Sequence, residues 1–150
     1  MRLLTLATLA AFALPAQAQD VSAPPTFGDL ELDEGFEPDP AEVALMAGGT
    51  ITPAVDGCDF GTIAEAPDVD LYYSTTGAST LYISAIGADD TTLLVNLPDG
   101  SWACDDDSFG DSDPIVVIPN AEEGLYDIWV GTYGEEPVEA SLFISEIDPR

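Results

Sequence analysis

The sequence predicts an all-β protein, an antiparallel β-sandwich of about seven or eight strands. Three observations predict it. Apolar residues, 46% of the chain, fall in short runs that alternate with polar ones. Clusters of Pro, Gly, Asp and Asn separate these runs at regular intervals. No long stretch carries the 3.6-residue period of an amphipathic helix.

Residues 1–18 read as a secretory leader. They hold one base, Arg2, an apolar run through Leu14, and the small-x-small box Ala16-Gln17-Ala18, with cleavage expected after Ala18. The run is too short for a permanent membrane span. A periplasmic or secreted destination follows from this reading.

Residues 19–49 read as an extended, irregular N-terminal arm, punctuated by Pro24-Pro25, Gly35, Pro38, Pro40 and Gly48-Gly49. Within it, 29–32 suits a short strand, and 41–47 suits either one helical turn or a strand, since the period fits both. Phe27, Leu32 and Phe36 are expected to pin the arm to the sandwich.

Residues 50–150 form the expected sandwich domain. Candidate strands are 50–53, 57–63, 69–75, 80–86, 92–97, 115–118, 125–133 and 138–147. Side chains two apart share a face of a strand, which assigns the core. Leu81, Ile83 and Ala85 point inward, as do Leu93, Val95 and Leu97, Tyr126, Ile128 and Val130, and Leu142 and Ile144. Trp129, Tyr133 and Phe143 fall off that face; they either cover a sheet edge or form an exposed aromatic patch.

The charge is one-sided. The chain has 29 acids, two bases and no His, for a net charge of −27. Every acid lies after residue 19, so once the leader is gone the remaining base is Arg150. Such a body repels nucleic acid and anionic lipid and attracts divalent cations and basic partners. The simplest reading of the overall charge is a solvated surface for salty water, where self-repulsion is screened over about 10 Å.

Cys58 and Cys104, bound for an oxidising compartment, are expected to form a disulfide. With no His and no Lys, a Ser-His-Asp triad, a Cys-His pair, a Ser-Lys dyad and a Schiff base are excluded, as are His-based metal sites. Carboxylates remain. Asp105, Asp107, Asp111 and Asp113 lie at alternate positions of one loop with Gly110 among them, and Asp90 is a candidate fifth ligand. Calcium wants six to eight oxygens, and clustering carboxylates costs repulsion that it relieves. Phe109 and Val116 stand where an EF-hand loop needs oxygen ligands, so the loop is not an EF-hand. Two readings stay open: a calcium site, or a solvated acidic loop braced by Asx-turns.

Several pieces of the chain, in order and spacing, resemble the bacterial pre-peptidase C-terminal domain. They are Pro67-Asp68-Val69-Asp70-Leu71-Tyr72-Tyr73, Ser79-Thr80-Leu81-Tyr82-Ile83-Ser84, Asp90-Thr91-Thr92-Leu93-Leu94-Val95 with Pro98-Asp99-Gly100, Asp105-Asp106-Asp107, Gly124-Leu125-Tyr126-Asp127-Ile128-Trp129-Val130, and Ala140-Ser141-Leu142-Phe143-Ile144-Ser145. The resemblance covers roughly half the chain, 68–145. It implies a jelly-roll-like accessory module, calcium binding in some members, and a peptidase label that belongs to neighbouring domains.

The expected function is therefore an exported, non-enzymatic binding or accessory module. Its partner would be a polysaccharide or another exported protein, met through Trp102, Phe109, Trp129 and Tyr133. The competing expectation is a hydrolase working with two carboxylates, which needs a pocket holding a pair of them with one raised pKa.

Overall fold

The structure, a computed structural model, describes residues 18–110 and 112–150; residues 1–17, on which all but the last residue of the expected leader 1–18 falls, and Asp111 lie outside it. The described residues contain nine strands and no helix: β1 (Asp29–Asp33), β2 (Ala41–Ala47), β3 (Val69–Ser74), β4 (Leu81–Gly87), β5 (Thr91–Asn96), β6 (Trp102–Asp105), β7 (Ile115–Ile118), β8 (Gly124–Thr132) and β9 (Val138–Ser145). They form a sandwich-like pair of sheets, one of five strands in the order β1-β3-β8-β5-β6 and one of four in the order β2-β9-β4-β7. All pairings are antiparallel except β1 with β3. The chain changes sheet at each connection apart from the β5–β6 hairpin. That hairpin turns through Pro98-Asp99-Gly100, where Leu97 N–H donates to Ser101 O at 2.9 Å and Asp99 Oδ1 accepts from Ser101 N at 2.8 Å.

The inner faces are those the alternation predicts. Leu81, Ile83, Ala85, Leu93, Val95, Tyr126, Ile128, Val130, Leu142 and Ile144 are buried in one core, with Leu97 half-buried against it. At about 1.5–3 kcal/mol for each large apolar side chain removed from water, this layer dominates the fold's stability.

The segment expected as an irregular arm carries two strands of the sandwich. β2 is the edge strand beside β9 and sends Leu45 and Ala47 into the core. β1 lies parallel to β3, with Leu30, Leu32 and Phe36 packed on the core. Phe27 is exposed. Residues 41–47 take the strand form because pairing with β9 satisfies a backbone that one isolated helical turn would leave open.

The strands expected at 50–53 and 57–63 do not form. Residues 48–66 are a loop with single bridges, Ile51 to Ile63 and Thr62 to Thr132. The loop lies on the outer face of the five-stranded sheet. Its apolar residues Ile51, Cys58 and Ile63 form a second core with Leu94 and Trp129, flanked by Val55, Trp102 and Cys104. The alternation read as strand pairing is the pattern of a loop filling a sheet face. Close approach needs glycine. A Cβ on Gly131 would lie 2.3 Å from Thr92 Oγ1 and 2.7 Å from Thr62 O, and one on Gly49 would lie 2.0 Å from Ile63 O.

Cys58 and Cys104 are joined, across 46 residues of sequence. The bond ties this loop to β6, a strand that the acid-rich neighbourhood of Trp102-Ala103-Cys104-Asp105 hides in the sequence. Reduction, or Cys58→Ser with Cys104→Ser, is expected to lower stability by about 3–4 kcal/mol. The β-sheet circular dichroism should survive while tryptophan fluorescence shifts red as Trp129 meets water. Unchanged fluorescence would mean the loop stays seated without its clip.

Candidate functional site

Three regions could carry function: the acid-rich loop, the outer face of the four-stranded sheet, and the acids on the outer face of the five-stranded sheet.

In the loop, hydrogen bonds occupy much of the expected ligand set. Asp105 follows Ala103 on the inner side of β6, at the edge of the sandwich. Its Oδ2 accepts from Ser108 N at 2.9 Å and from Ile115 N at 2.8 Å, and its Oδ1 accepts from Ser108 Oγ at 2.6 Å. Because Ile115 opens β7, this carboxylate links edge strands of the two sheets. Asp113 Oδ1 accepts from Gly87 N at 3.3 Å and Thr91 Oγ1 at 3.4 Å, bracing the β4–β5 connection. Asp107 is exposed, and Asp111 lies outside the described residues. Asp90 is held above the usual carboxylate range by burial, then by Asp107, Asp106, Asp89 and Asp113, and its Oδ1 is buried without a hydrogen-bond partner. No group of three or more His, Cys, Asp or Glu side chains among the described residues is arranged to hold a metal ion.

The expected aromatic contacts separate. Trp129 is fully buried in the second core, so it is not a surface contact. The reason is the loop 48–66, which covers the face Trp129 occupies. Trp102 is half-buried against it, with ring centroids 5.6 Å apart. Tyr133 is exposed and its hydroxyl donates to Asp106 Oδ2 at 3.1 Å. Phe109 is half-buried and lines a groove with Phe143.

That groove lies on the outer face of the four-stranded sheet. Its volume is about 290 Å³, and Pro40, Ile86, Phe109, Phe143, Ile147 and Pro149 form its apolar lining. A second, broader hollow of about 620 Å³ adjoins it, with Ala44, Met46, Ile86 and Ala140 along it. Register explains the face: Ser84 lies opposite Phe143 and Ile115, and Tyr82 opposite Val117 and Ser145. Met46, Ile86 and Val117 are 43%, 43% and 39% exposed. Asp39, Pro40, Phe109, Ile147 and Pro149 line the part of this face around the buried Ser84 and Ser145, and Met46, Ile86 and Val117 stay exposed. Composition showed these residues individually; only the pairing of β2, β9, β4 and β7 shows that they share a face.

Sequence reasoning missed three buried acids: Asp68, Asp70 and Asp127. Asp68 Oδ2 accepts from Val130 N at 2.7 Å, and burial pushes its carboxyl up to about 7. Asp70 and Asp127 lie opposite each other on β3 and β8. The signal was present as Asp at positions flanked by core residues, in Val69-Asp70-Leu71 and Tyr126-Asp127-Ile128. The pair is buried under its own strands' neighbours, and the groove beside it meets Asp127 but not Asp70.

Asp105→Ala should lower stability by about 2 kcal/mol, since it leaves Ile115 N–H without its acceptor. Denaturant unfolding should give the same loss with or without a chelator. A loss that appears only with calcium present would make Asp105 a ligand instead of a brace.

Neither the known protein families nor the curated proteins contain a match to this chain: no family model fits it and no characterised relative is found. The two-sheet sandwich stands on the structure alone, without the narrower family that the motifs resemble.

Proposed function

We propose that this chain is an exported, non-catalytic binding module that works through the outer face of its four-stranded sheet. One observation carries the reading. The two outer faces are unequal: loop and disulfide seal one, while the other leaves Met46, Ile86 and Val117 in water beside an apolar groove. Exposed apolar side chains beside an apolar groove on a protein this acidic mark a candidate contact site.

Charge decides the kind of partner. A second copy would bring another net −27 to the contact. A polysaccharide offers few apolar groups to a groove lined by Phe, Ile and Pro. A basic protein segment with apolar side chains satisfies both terms, placing its apolar groups at Ile86 and Phe143 and its cations near Asp39, Glu42 and Glu139. Glu42 already lies opposite Phe143 and accepts from Ser141 Oγ at 2.8 Å.

Fluorescence anisotropy with a labelled Lys/Leu amphipathic peptide tests this, with a Glu/Leu peptide as control. Binding to the cationic peptide is expected to weaken at least about tenfold in Ile86→Ser and in Phe143→Ser, and to weaken with salt. Equal binding of both peptides, or indifference to both substitutions, would overturn the site. A glycan ligand lost in the same variants would replace the protein partner with a polysaccharide.

Calcium enters this proposal as a subordinate ligand. Asp90 and Asp107 would supply carboxylate oxygens, because Asp105 already serves backbone donors. Millimolar calcium should then raise the melting temperature, EDTA should reverse it, and Asp90→Asn with Asp107→Asn should abolish the difference. Melting indifferent to EDTA removes calcium from the reading.

A further inference from the structure

A row of polar side chains crosses the outer face of the five-stranded sheet beside the sealed patch. Asp29 of β1 lies opposite Asp70 of β3, Asp70 opposite Asp127 of β8, and Asp127 opposite Asn96 of β5. The middle two are 8% and 4% exposed, and Oδ1 of each is buried without a hydrogen-bond donor. Two buried carboxylates in register contact must be neutralised or separated, because like charges directly opposite each other destabilise a sheet.

The chain has little with which to neutralise them. Among the described residues the cationic side chain is Arg150, and it pairs with Asp148 at 3.0 Å. The other titratable groups around the pair add negative charge or none. β1 brings Asp29 and Glu31, β3 brings Tyr72, the residue before β3 is Asp68, the turn before β8 brings Glu123, and Asn96 on β5 is neutral. The remaining source of positive charge is solvent.

We propose that Asp70 and Asp127 form a single proton-binding site, a carboxyl–carboxylate latch across the β3–β8 seam that is closed in mildly acidic surroundings and strained once the proton leaves. One carboxyl donates its O–H to the other, so two orphaned acceptors become a donor and an acceptor. The directions of titration agree. Burial, then Asp127 and Asp29, push Asp70 up to about 6. Burial also raises Asp127, so both members of the pair favour sharing a proton.

The sign of the pH effect follows. A carboxyl raised in the folded state contributes stability that is full below its unfolded pKa of 3.8 and is lost as pH rises through about 6. Ordinary carboxyls titrate over part of the same range, but they are common to the wild type and the variant and cancel from a comparison of the two. Asp70→Asn mimics the protonated state, since the amide can donate to Asp127 at any pH.

Melting temperatures at constant ionic strength test this. The variant should match the wild type at about pH 3.5 and melt progressively higher than it as the pH rises through about 6 to about 7.5. Asp68 is present in both proteins and cancels from the comparison. Carboxyl-carbon NMR of the unmodified full chain supplies a readout that needs no variant: the Asp70 and Asp127 signals should shift together, with a midpoint near 6. A variant less stable than wild type at both pH values would overturn the latch. So would two carboxyls titrating independently in the ordinary range. Millimolar calcium that moves the same two signals near pH 7.5 would also overturn it, by making the missing charge a metal ion.

Discussion

β8 is the strand on which both cores close. Its inner residues Tyr126, Ile128 and Val130 fill the space between the sheets, and its outer residue Trp129 fills the second core beneath the loop. A strand buried on both faces in an antiparallel protein needs an external cover. Here the cover is residues 48–66, and two features hold it: the disulfide to β6, and glycines that let backbone approach backbone at Gly131 and Gly49. Thr62 and Thr132 exchange backbone hydrogen bonds at 2.9 and 3.1 Å, so the loop also touches β8 through the main chain. Remove the cover and Trp129, Leu94 and Ile63 face water together, a loss on the order of several kcal/mol.

Scarcity of positive charge sets the second rule. A carboxylate in this chain is stabilised by N–H and O–H donors instead of by Lys or Arg. Glu34 is the clearest case: Ser79 Oγ, Thr76 N and Thr76 Oγ1 all donate to it, which holds its carboxyl down to about 2. Asp105, Asp113 and Asp68 follow the same pattern with backbone donors. Each of these acids joins two segments distant in sequence, so donors and acceptors do the work of ion pairs. Asp70 and Asp127 are where the donors run out. Within the paired stretch of β3 and β8 the N–H groups serve the ladder, leaving none for these side chains, whereas Val130 N–H lies past that stretch and reaches Asp68.

The parts of the fold legible in the sequence are those where one period has one cause. Alternation in 81–85, 93–97, 126–130 and 142–144 arises from a single buried face, and it places the core residue by residue. Alternation in 51–63 has a different cause, a loop packing onto a sheet, and the period alone does not separate the two. β6 was hidden because its four residues include an Asp and a disulfide Cys, neither of which signals a strand. The disulfide itself was legible from compartment and count. The candidate binding face was not, because Met46, Phe143, Ile86 and Val117 come from four strands whose order only the sheet topology fixes. The same holds for Asp70 and Asp127, 57 positions apart in a chain where acids are everywhere.

The two outer faces then divide the labour. Sealing the five-stranded sheet uses the apolar residues of a whole loop, the chain's cysteine pair and both tryptophans. Had the four-stranded sheet simply lacked the need for a cover, its outward positions should be as polar as Ser84, Ser141 and Ser145 throughout. They are not: Ile86, Met46 and Val117 stand exposed among them, at positions where a polar residue would cost the fold little. Apolar side chains held in water at exposed strand positions contribute little to folding, and they create an aggregation hazard that the heavy negative charge offsets. A contact surface gives them a physical reason: the charge keeps copies of the chain apart while admitting a partner of opposite sign.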